Sequence, residues 1–367
     1  MENKKKILIF STAYLPLIGG AELAVKSITD RIGDFEFDLL AAKIRPGLSN
    51  FERIGNVNVY RVGFGGNLDK LLLPFLGMAR AWRLNRKRKY SIVWSVMASY
   101  GGFAGLFYKI LNPKIKFLLT LQEGDDLSYI RKRVGIFYAV FRQIFKRADY
   151  IQAISNFLAS WAKEMGAKCP IKVVPNGVSI DEVELKVKNN DLKRVISVSR
   201  LVEKNGIGDL IKAMTNVDGE LWLVGDGGLR PELEKLAREL KIESKVKFLG
   251  EKRPEEAAEL LLQADVFVRP SLSEGLGNAF LEAMAIGVPV IGTPVGGIPD
   301  FLKEGETGWL CEPKNPESIA EKIKYVLADE NQEKLTVVTK TALKMVAESY
   351  NWDKIANDMR NTFNQLS

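Results

Sequence analysis

Histidine is absent from all 367 residues. Its absence removes the commonest general base, the Ser-His and Cys-His nucleophile pairs and nearly every zinc site. Cysteine is almost absent as well: Cys169 and Cys311 stand one in each half, which argues against a disulfide framework and predicts two buried, reduced thiols. No apolar run approaches a membrane span, and residues 7–10, which follow Lys4, Lys5 and Lys6, break at Ser11 after only four residues. The chain is therefore expected to be cytoplasmic. No P-loop Gly-Lys-Ser/Thr and no G-x-G-x-x-G dinucleotide fingerprint occurs.

What is present is ordinary in amount and uneven in placement. Apolar residues make up 46% and charged residues 27%, a globular composition, and the length exceeds what one hydrophobic core usually fills. Residues 1–180 hold 28 Lys and Arg against 13 Asp and Glu, and residues 181–367 hold 25 against 32, so the halves carry +15 and −7. Either the first half meets an anionic partner or membrane surface, or its helices present solvated basic faces.

Short apolar runs at residues 7–10, 37–41, 57–62, 92–96, 117–121 and 150–154 read as strands, with helical patterns at 21–31, 102–111 and 135–147 between them. The alternation restarts with strands at 195–198, 221–224, 246–249, 266–269 and 288–292 and helices at 208–214, 229–240, 255–263 and 278–286. This pattern predicts two doubly wound, parallel α/β domains, divided at about residue 180 by the polar stretch 179–193. Two such domains bind ligands in the cleft between the carboxyl ends of their sheets.

Three strand-to-helix loops carry chemistry. In Arg269-Pro270-Ser271-Leu272-Ser273-Glu274-Gly275-Leu276-Gly277-Asn278, a strand ends, glycines permit a tight path and a helix begins, which aims free N–H groups at an anion. Glu274 and Glu282 flank that position, and carboxylates there suit the vicinal hydroxyls of a sugar or a ribose. Glu282 lies in the apolar run 280–285, where an unpaired charge would be costly. Arg200 and Lys204 follow another strand and either neutralise a diphosphate or form a surface pair. Gly19 and Gly20 open a helix after the first strand and would bring backbone N–H groups to an anion.

These loops resemble glycosyltransferase family 4, retaining enzymes of the GT-B fold, in Glu274-x7-Glu282, Gly19-Gly20, Arg200 with Lys204, Pro175-Asn176-Gly177-Val178, Val224-Gly225-Asp226-Gly227 and Gly296-Gly297. The resemblance implies an acceptor-binding domain 1–180, a donor-binding domain 181–348 and a C-terminal helix, 349–367, that returns to the first domain. It implies metal-independent transfer of a hexose from a UDP- or GDP-type sugar to a glycan, glycolipid or lipid-linked acceptor. Cofactors are not expected, nor is nucleic acid, while the basic first domain could bring the chain to the inner face of the cell membrane.

By the same resemblance, Arg200, Lys204 and Glu274 are the catalytic set. Glu282 takes the ribose hydroxyls, Glu274 the transferred sugar, and the amides of Gly275, Leu276, Gly277 and Asn278 the diphosphate, with Gly19 and Gly20 approaching it. Gly225, Asp226, Lys252 and Arg253 lie toward the base, and Gln122, Glu123 and Asp125 toward the acceptor. Two departures stand out: the usual lysine place is filled by Asn205, with Lys204 one residue earlier, and Gln122 stands where a histidine is common.

Glu123 and Asp125 serve either the acceptor or a local turn. The basic, aromatic stretch 71–89, with Phe75, Leu76 and Trp82, either binds a bilayer or packs its apolar side on the core. A nucleotide-sugar epimerase of the same fold and a polyanion-binding protein are the competing readings. The first normally needs proton-transfer groups this chain lacks. The second leaves Glu274 and Glu282 without a purpose.

Overall fold

The computed structural model describes residues 4–17, 19–179 and 192–367. Its contacts divide the chain into two units: Met1–Glu123, Leu127–Gly177 and Trp352–Ser367 form the first, and Gly124–Asp126 with Val178–Asn351 the second. Most of the stretch expected to link two domains, 179–193, lies outside the described residues.

The first unit is built on β1 (Lys5–Phe10), β2 (Phe35–Ala42), β3 (Phe51–Ile54), β4 (Val57–Val62), β5 (Ile92–Val96), β6 (Lys116–Leu121), β7 (Tyr150–Ala153) and β8 (Ile171–Val173). Their order is β3-β4-β2-β1-β5-β6-β7-β8, parallel apart from the β3–β4 hairpin. Strands such as Ile92–Val96 are buried at every residue, because crossover helices cover both faces of a parallel sheet. The helices are α1 (Gly20–Arg31), α2 (Asp69–Arg88), α3 (Tyr100–Leu111), α4 (Leu127–Val134), α5 (Tyr138–Lys146) and α6 (Asn156–Glu164). The helical pattern at 135–147 is interrupted, since Gly135 adopts φ 54° and a 3-10 turn, Gly135–Phe137, precedes α5. In α2 the core side is small, made of Leu73, Pro74, Gly77 and Ala81, while Phe75, Leu76 and Trp82 are exposed. The named aromatics of 71–89 therefore do not pack inward.

The second unit repeats the plan with β9 (Arg194–Val198), β10 (Glu220–Val224), β11 (Val246–Gly250), β12 (Val266–Arg269), β13 (Val290–Gly292) and β14 (Trp309–Leu310) in the order β11-β10-β9-β12-β13-β14, all parallel. Its helices are α7 (Ile207–Ala213), α8 (Arg230–Glu239), α9 (Pro254–Leu262), α10 (Asn278–Ala285), α11 (Pro316–Leu327) and α12 (Gln332–Ser349). The chain ends in α13 (Trp352–Leu366), which belongs to the first unit. Its buried stripe, Trp352, Ile355, Ala356, Met359, Phe363 and Leu366, has the three- and four-residue spacing of one helix face and joins the core of β1, β2 and β5. Phe363 meets the rings of Phe35, Phe37 and Trp94 at 5.6, 6.0 and 5.3 Å.

Both cysteines are free, and only Cys311 is buried, Cys169 being half-buried. Burial pushes the Cys169 thiol up to about 11 and the Cys311 thiol to about 12, so both stay protonated at neutral pH. Among the described residues no helix is long and apolar enough to cross a membrane.

Candidate active site

In a doubly wound sheet, the loops leaving two adjacent strands diverge to opposite faces where the strand order reverses, and a crevice opens there. In the second unit that point lies between β9 and β12. The loops that leave it, 199–206 and 270–277, are the two that carry Arg200 with Lys204 and Glu274. They are packed together: the Lys204 carbonyl accepts the Leu272 N–H at 2.6 Å, and Gly206, at φ 68°, lies so close to the Pro270 carbonyl that a Cβ would collide with it.

Arg200 is exposed, and its guanidinium has no ion pair among the described residues. Asn205 is buried and donates its side-chain N–H to the Arg200 carbonyl at 2.6 Å. It shapes the turn from beneath and offers no charge. Lys204 is the cation of this loop, paired with Asp125 at 2.9 Å, and Ser273 donates to the Gly124 carbonyl at 3.2 Å. Asp125 thus has a partner of its own within the second unit, to which Gly124–Asp126 belongs.

Glu274 is held from two sides. One carboxylate oxygen accepts the Gly275 N–H at 3.0 Å and the other pairs with Arg269, whose side chain is buried and also donates to Ser271 at 3.2 Å. A carboxylate offers about four acceptor positions, so about two remain for hydroxyl donors. The Glu274 carbonyl accepts the Gly297 N–H at 3.1 Å, and a Cβ at Gly296, φ 56°, would strike that same carbonyl. This is the physical reason for a glycine at 296. Gly277, at φ 102°, is the N-cap of α10 and, having no side chain, makes no side-chain cap hydrogen bond; its carbonyl accepts the Phe280 N–H at 3.0 Å.

Glu282 corrects one expectation. Phe280, Leu281, Ala283, Met284 and Ala285 are buried, whereas Glu282 points to the outward side of α10 and is exposed. Its position in an apolar run therefore does not place it in the core. Protein still surrounds the carboxyl closely enough that desolvation raises its pKa, with Arg269 pulling the other way. Glu282 has no ion pair among the described residues.

The remaining donor candidates are used locally. Gly225, φ 126°, lets the 225–227 turn run against the Ser199 carbonyl, and Leu201 donates to the Asp226 carbonyl at 2.9 Å, so this motif supports the Arg200 loop. The Asp226 carboxylate takes the Gly227 N–H at 2.7 Å and Arg230 at 3.0 Å, which hold its pKa low. Arg253 caps α9, its backbone N–H reaching Glu256 at 2.9 Å, and Lys252 beside it is exposed.

In the first unit the order reverses between β1 and β5, and the loops there meet through Thr12 and Ser99, whose hydroxyls are 3.0 Å apart. Gly19 is the N-cap of α1 and Gly20 its first residue. Glu22 folds back over Gly19, and burial raises the pKa of its carboxyl. Glu123 is buried and accepts the N–H groups of Ala98 and Gln122, the work of a turn-holding acid. Gln122 accepts from Asn176 at 3.3 Å, and a Cβ on the adjacent Gly177 would lie 2.6 Å from the Trp352 ring. Beneath them a buried chain runs from Trp94 to Thr120 at 2.8 Å, on to Gln152 at 2.6 Å and then to the Val174 carbonyl.

Three positioning roles are not read from the sequence: those of Arg269, of Asn205, noted there only as filling the usual lysine place, and of Arg61. Arg61 is buried and donates to the carbonyls of Leu15 and Ser49 and to Glu52, pinning the loop before Gly19. The available signal was an arginine on the same strand face as Val57 and Val59, where it must find several acceptors.

Two family models together span nearly the whole chain: Glycosyltransferase Family 4 matches residues 18–182 and Glycosyl transferases group 1 matches residues 180–359. An uncharacterized glycosyltransferase of Methanocaldococcus jannaschii is 34% identical over 393 residues, 98% of this chain and 97% of that protein. The chain belongs to glycosyltransferase family 4, group 1. This family 4 chain is also 34% identical to the lipopolysaccharide core biosynthesis glycosyltransferase LpsE of Rhizobium meliloti, over 85% of this chain and 86% of that one. Among solved structures, it is similar to sucrose-phosphate synthase from Thermosynechococcus elongatus, with a TM-score of 0.85 at 22% identity and 99% of each chain covered. It is also similar to HepE of Anabaena, solved with UDP-glucose, with a TM-score of 0.80 at 19% identity over 98% of this chain and 99% of that one. These likenesses show that the family 4 chain has the GT-B fold.

Proposed function

We propose that this glycosyltransferase moves a hexose from a nucleoside diphosphate sugar to an anionic glycan, glycolipid or lipid-linked acceptor, with retention at the anomeric carbon and without a metal. The observation that carries the reading is the packed pair of loops at the reversal point of the second sheet. They gather Arg200, Lys204, the Arg269-held Glu274 and the start of α10. In this reading Glu282 accepts the ribose hydroxyls and Glu274 the hydroxyls of the transferred sugar. Arg200, Lys204 and the α10 amides take the diphosphate. The structure of a protein of the same fold solved with UDP-glucose and the lipopolysaccharide relative support the donor and acceptor classes.

The chemistry suits a chain without histidine. The bond from the anomeric carbon to the β-phosphate oxygen breaks, the acceptor oxygen bonds to that carbon on the same face, and the acceptor's proton passes to the departing phosphate oxygen. No protein base is required. In this reading the protein's share is to stabilise the charge that grows on the leaving diphosphate, the role given to Arg200 and Lys204, whose loop Asn205 fixes from below. Lys204 would exchange Asp125 for phosphate as the donor binds.

The test is thermal protection by UDP-, GDP-, ADP- and TDP-sugars. One donor at a hundred times its Kd should add about 2.7 kcal/mol of stability. Glu282→Ala should lose most of that protection, whereas Arg200→Ala should keep a larger part of it and lose turnover. Protection by none of the four, or equal protection of parent and both variants, would remove the assignment.

A further inference from the structure

Helices α2, α3, α4 and α5 contain one acidic residue, Asp69, against six Lys or Arg on α2, one on α3, three on α4 and two on α5. Asp69 is buried and turned onto the N–H groups of Phe64, Gly65 and Gly66 at 2.7, 2.7 and 3.1 Å, so its charge is spent inside. α3 packs against both α2 and α5, which makes these helices one layer of the first unit. The layer has apolar groups where a soluble surface would have polar ones: Phe64 is 88% exposed, Leu68 72%, Phe75 59%, Ile136 92% and Phe137 63%. Ring contacts of 5.8, 6.3 and 6.1 Å run from Phe75 to Phe107, Phe103 and Phe141, and they join the α2 group to the α5 group. Arg131, Lys132 and Arg133, all exposed, stand directly before the Gly135–Phe137 turn.

We infer that this face docks on an anionic bilayer, with Ile136 and Phe137 at the level of the acyl boundary and Arg131, Lys132 and Arg133 among the headgroups. Apolar tips flanked by cations and free of acids match that surface, since the cations are drawn to anionic lipid and the apolar groups leave water. A nucleic acid would answer the cations and leave Ile136 and Phe137 wet. α2, α3 and α4 each follow the carboxyl end of a strand, β4, β5 and β6, and α5 follows α4 through the Gly135–Phe137 turn; Leu71, Phe75 and Phe103 lie in the first two turns of α2 and α3, and Phe137 and Val140 at the start of α5. The apolar patch therefore borders the sheet edge from which the Gly19-Gly20 and Gln122 loops emerge. Docked so, a lipid-linked acceptor reaches those loops without leaving the membrane, a consequence that rests on the proposed function.

The experiment is sedimentation of the full chain with phosphatidylcholine vesicles, with and without phosphatidylglycerol, at low and high salt and with no donor present. Parent chain should pellet with the anionic vesicles at low salt and stay in the supernatant with neutral ones. Arg131→Gln/Lys132→Gln/Arg133→Gln should lower the partition coefficient at least tenfold, each cation near the surface contributing about fivefold. Ile136→Ser/Phe137→Ser should lower it by a similar factor while leaving the thermal midpoint in place, as both side chains are exposed. Recovery of the parent in the supernatant throughout, or pelleting untouched by both variants, would overturn the proposal. So would salt-independent binding, or self-association lost in Phe137→Ser with no vesicle binding, which assigns the face to a second copy. Because no donor is present, failure of the transferase reading leaves this result standing, and the reverse holds too.

Discussion

Arg269 and Glu274 are five residues apart on one loop, and both side chains are largely shielded from water, at 7% and 16% exposure. A shielded ion pair adds little net stability when intact, but removing one partner leaves a charge with nothing to answer it. Arg269→Ala should therefore cost about 3–5 kcal/mol in chemical denaturation and release Glu274 from its fixed orientation. Glu282 behaves in the opposite sense. Its pKa is raised above the ordinary 4.5 by desolvation, so the folded chain disfavours the carboxylate. Its favourable contribution is complete below the unfolded value and is lost as pH rises through the raised folded one. Glu282→Gln should accordingly unfold at a higher temperature than the parent at pH 7 to 8, the gap closing as pH falls toward 4. A gap that widens on acidification would contradict this. The places of Arg200 and Glu274 on strand-to-helix loops, and of Glu282 in the helix that follows, were legible from the strand ends before them, whereas the outward exposure of Glu282 was not. The partners of Arg269, Asn205 and Arg61 were not legible either, because they depend on which carbonyl or carboxylate folding brings to them.

At the scale of elements, α13 shows how a face is specified by periodicity and completed by a distant sheet. Residues 355, 356, 359, 363 and 366 form its buried stripe, yet their partners sit more than 250 residues earlier in β1, β2 and β5. Phe363→Ala removes one ring from a cluster of four aromatics, and the expected loss is about 3–5 kcal/mol, read from the denaturant midpoint. A loss under about 1 kcal/mol would mean that the helix does not hold the first unit together. Strands at 57–62, 92–96 and 266–269 occupy the residues their apolar runs mark, since each begins on a buried valine or isoleucine and keeps buried apolar residues along at least one face. β3, β8 and β14 are too short or too polar to rise above that criterion. The turn at Gly135–Phe137 is a backbone event, a positive φ at the first residue of the helical pattern 135–147, and a pattern of side chains does not reveal it.

Across the whole molecule the two units share a topology and divide the charge. The first unit's helix layer is basic and partly apolar, and the second unit's reversal point gathers the cations, the held carboxylate and the start of α10. The proposed division of labour, with acceptor capture on one unit and donor activation on the other, follows from that placement. The most direct measurement is release of nucleoside diphosphate from the protecting donor, in EDTA and in magnesium, by the parent and by Arg200→Ala. The account predicts that the parent works within tenfold of the same rate in both media, because Arg200, Lys204 and the α10 amides neutralise the leaving group. It also predicts that Arg200→Ala loses about a hundredfold or more in kcat, the usual scale for removing one group that stabilises developing charge. Full turnover by Arg200→Ala, activity only in magnesium, or an isomerised sugar with no nucleoside diphosphate released would contradict it.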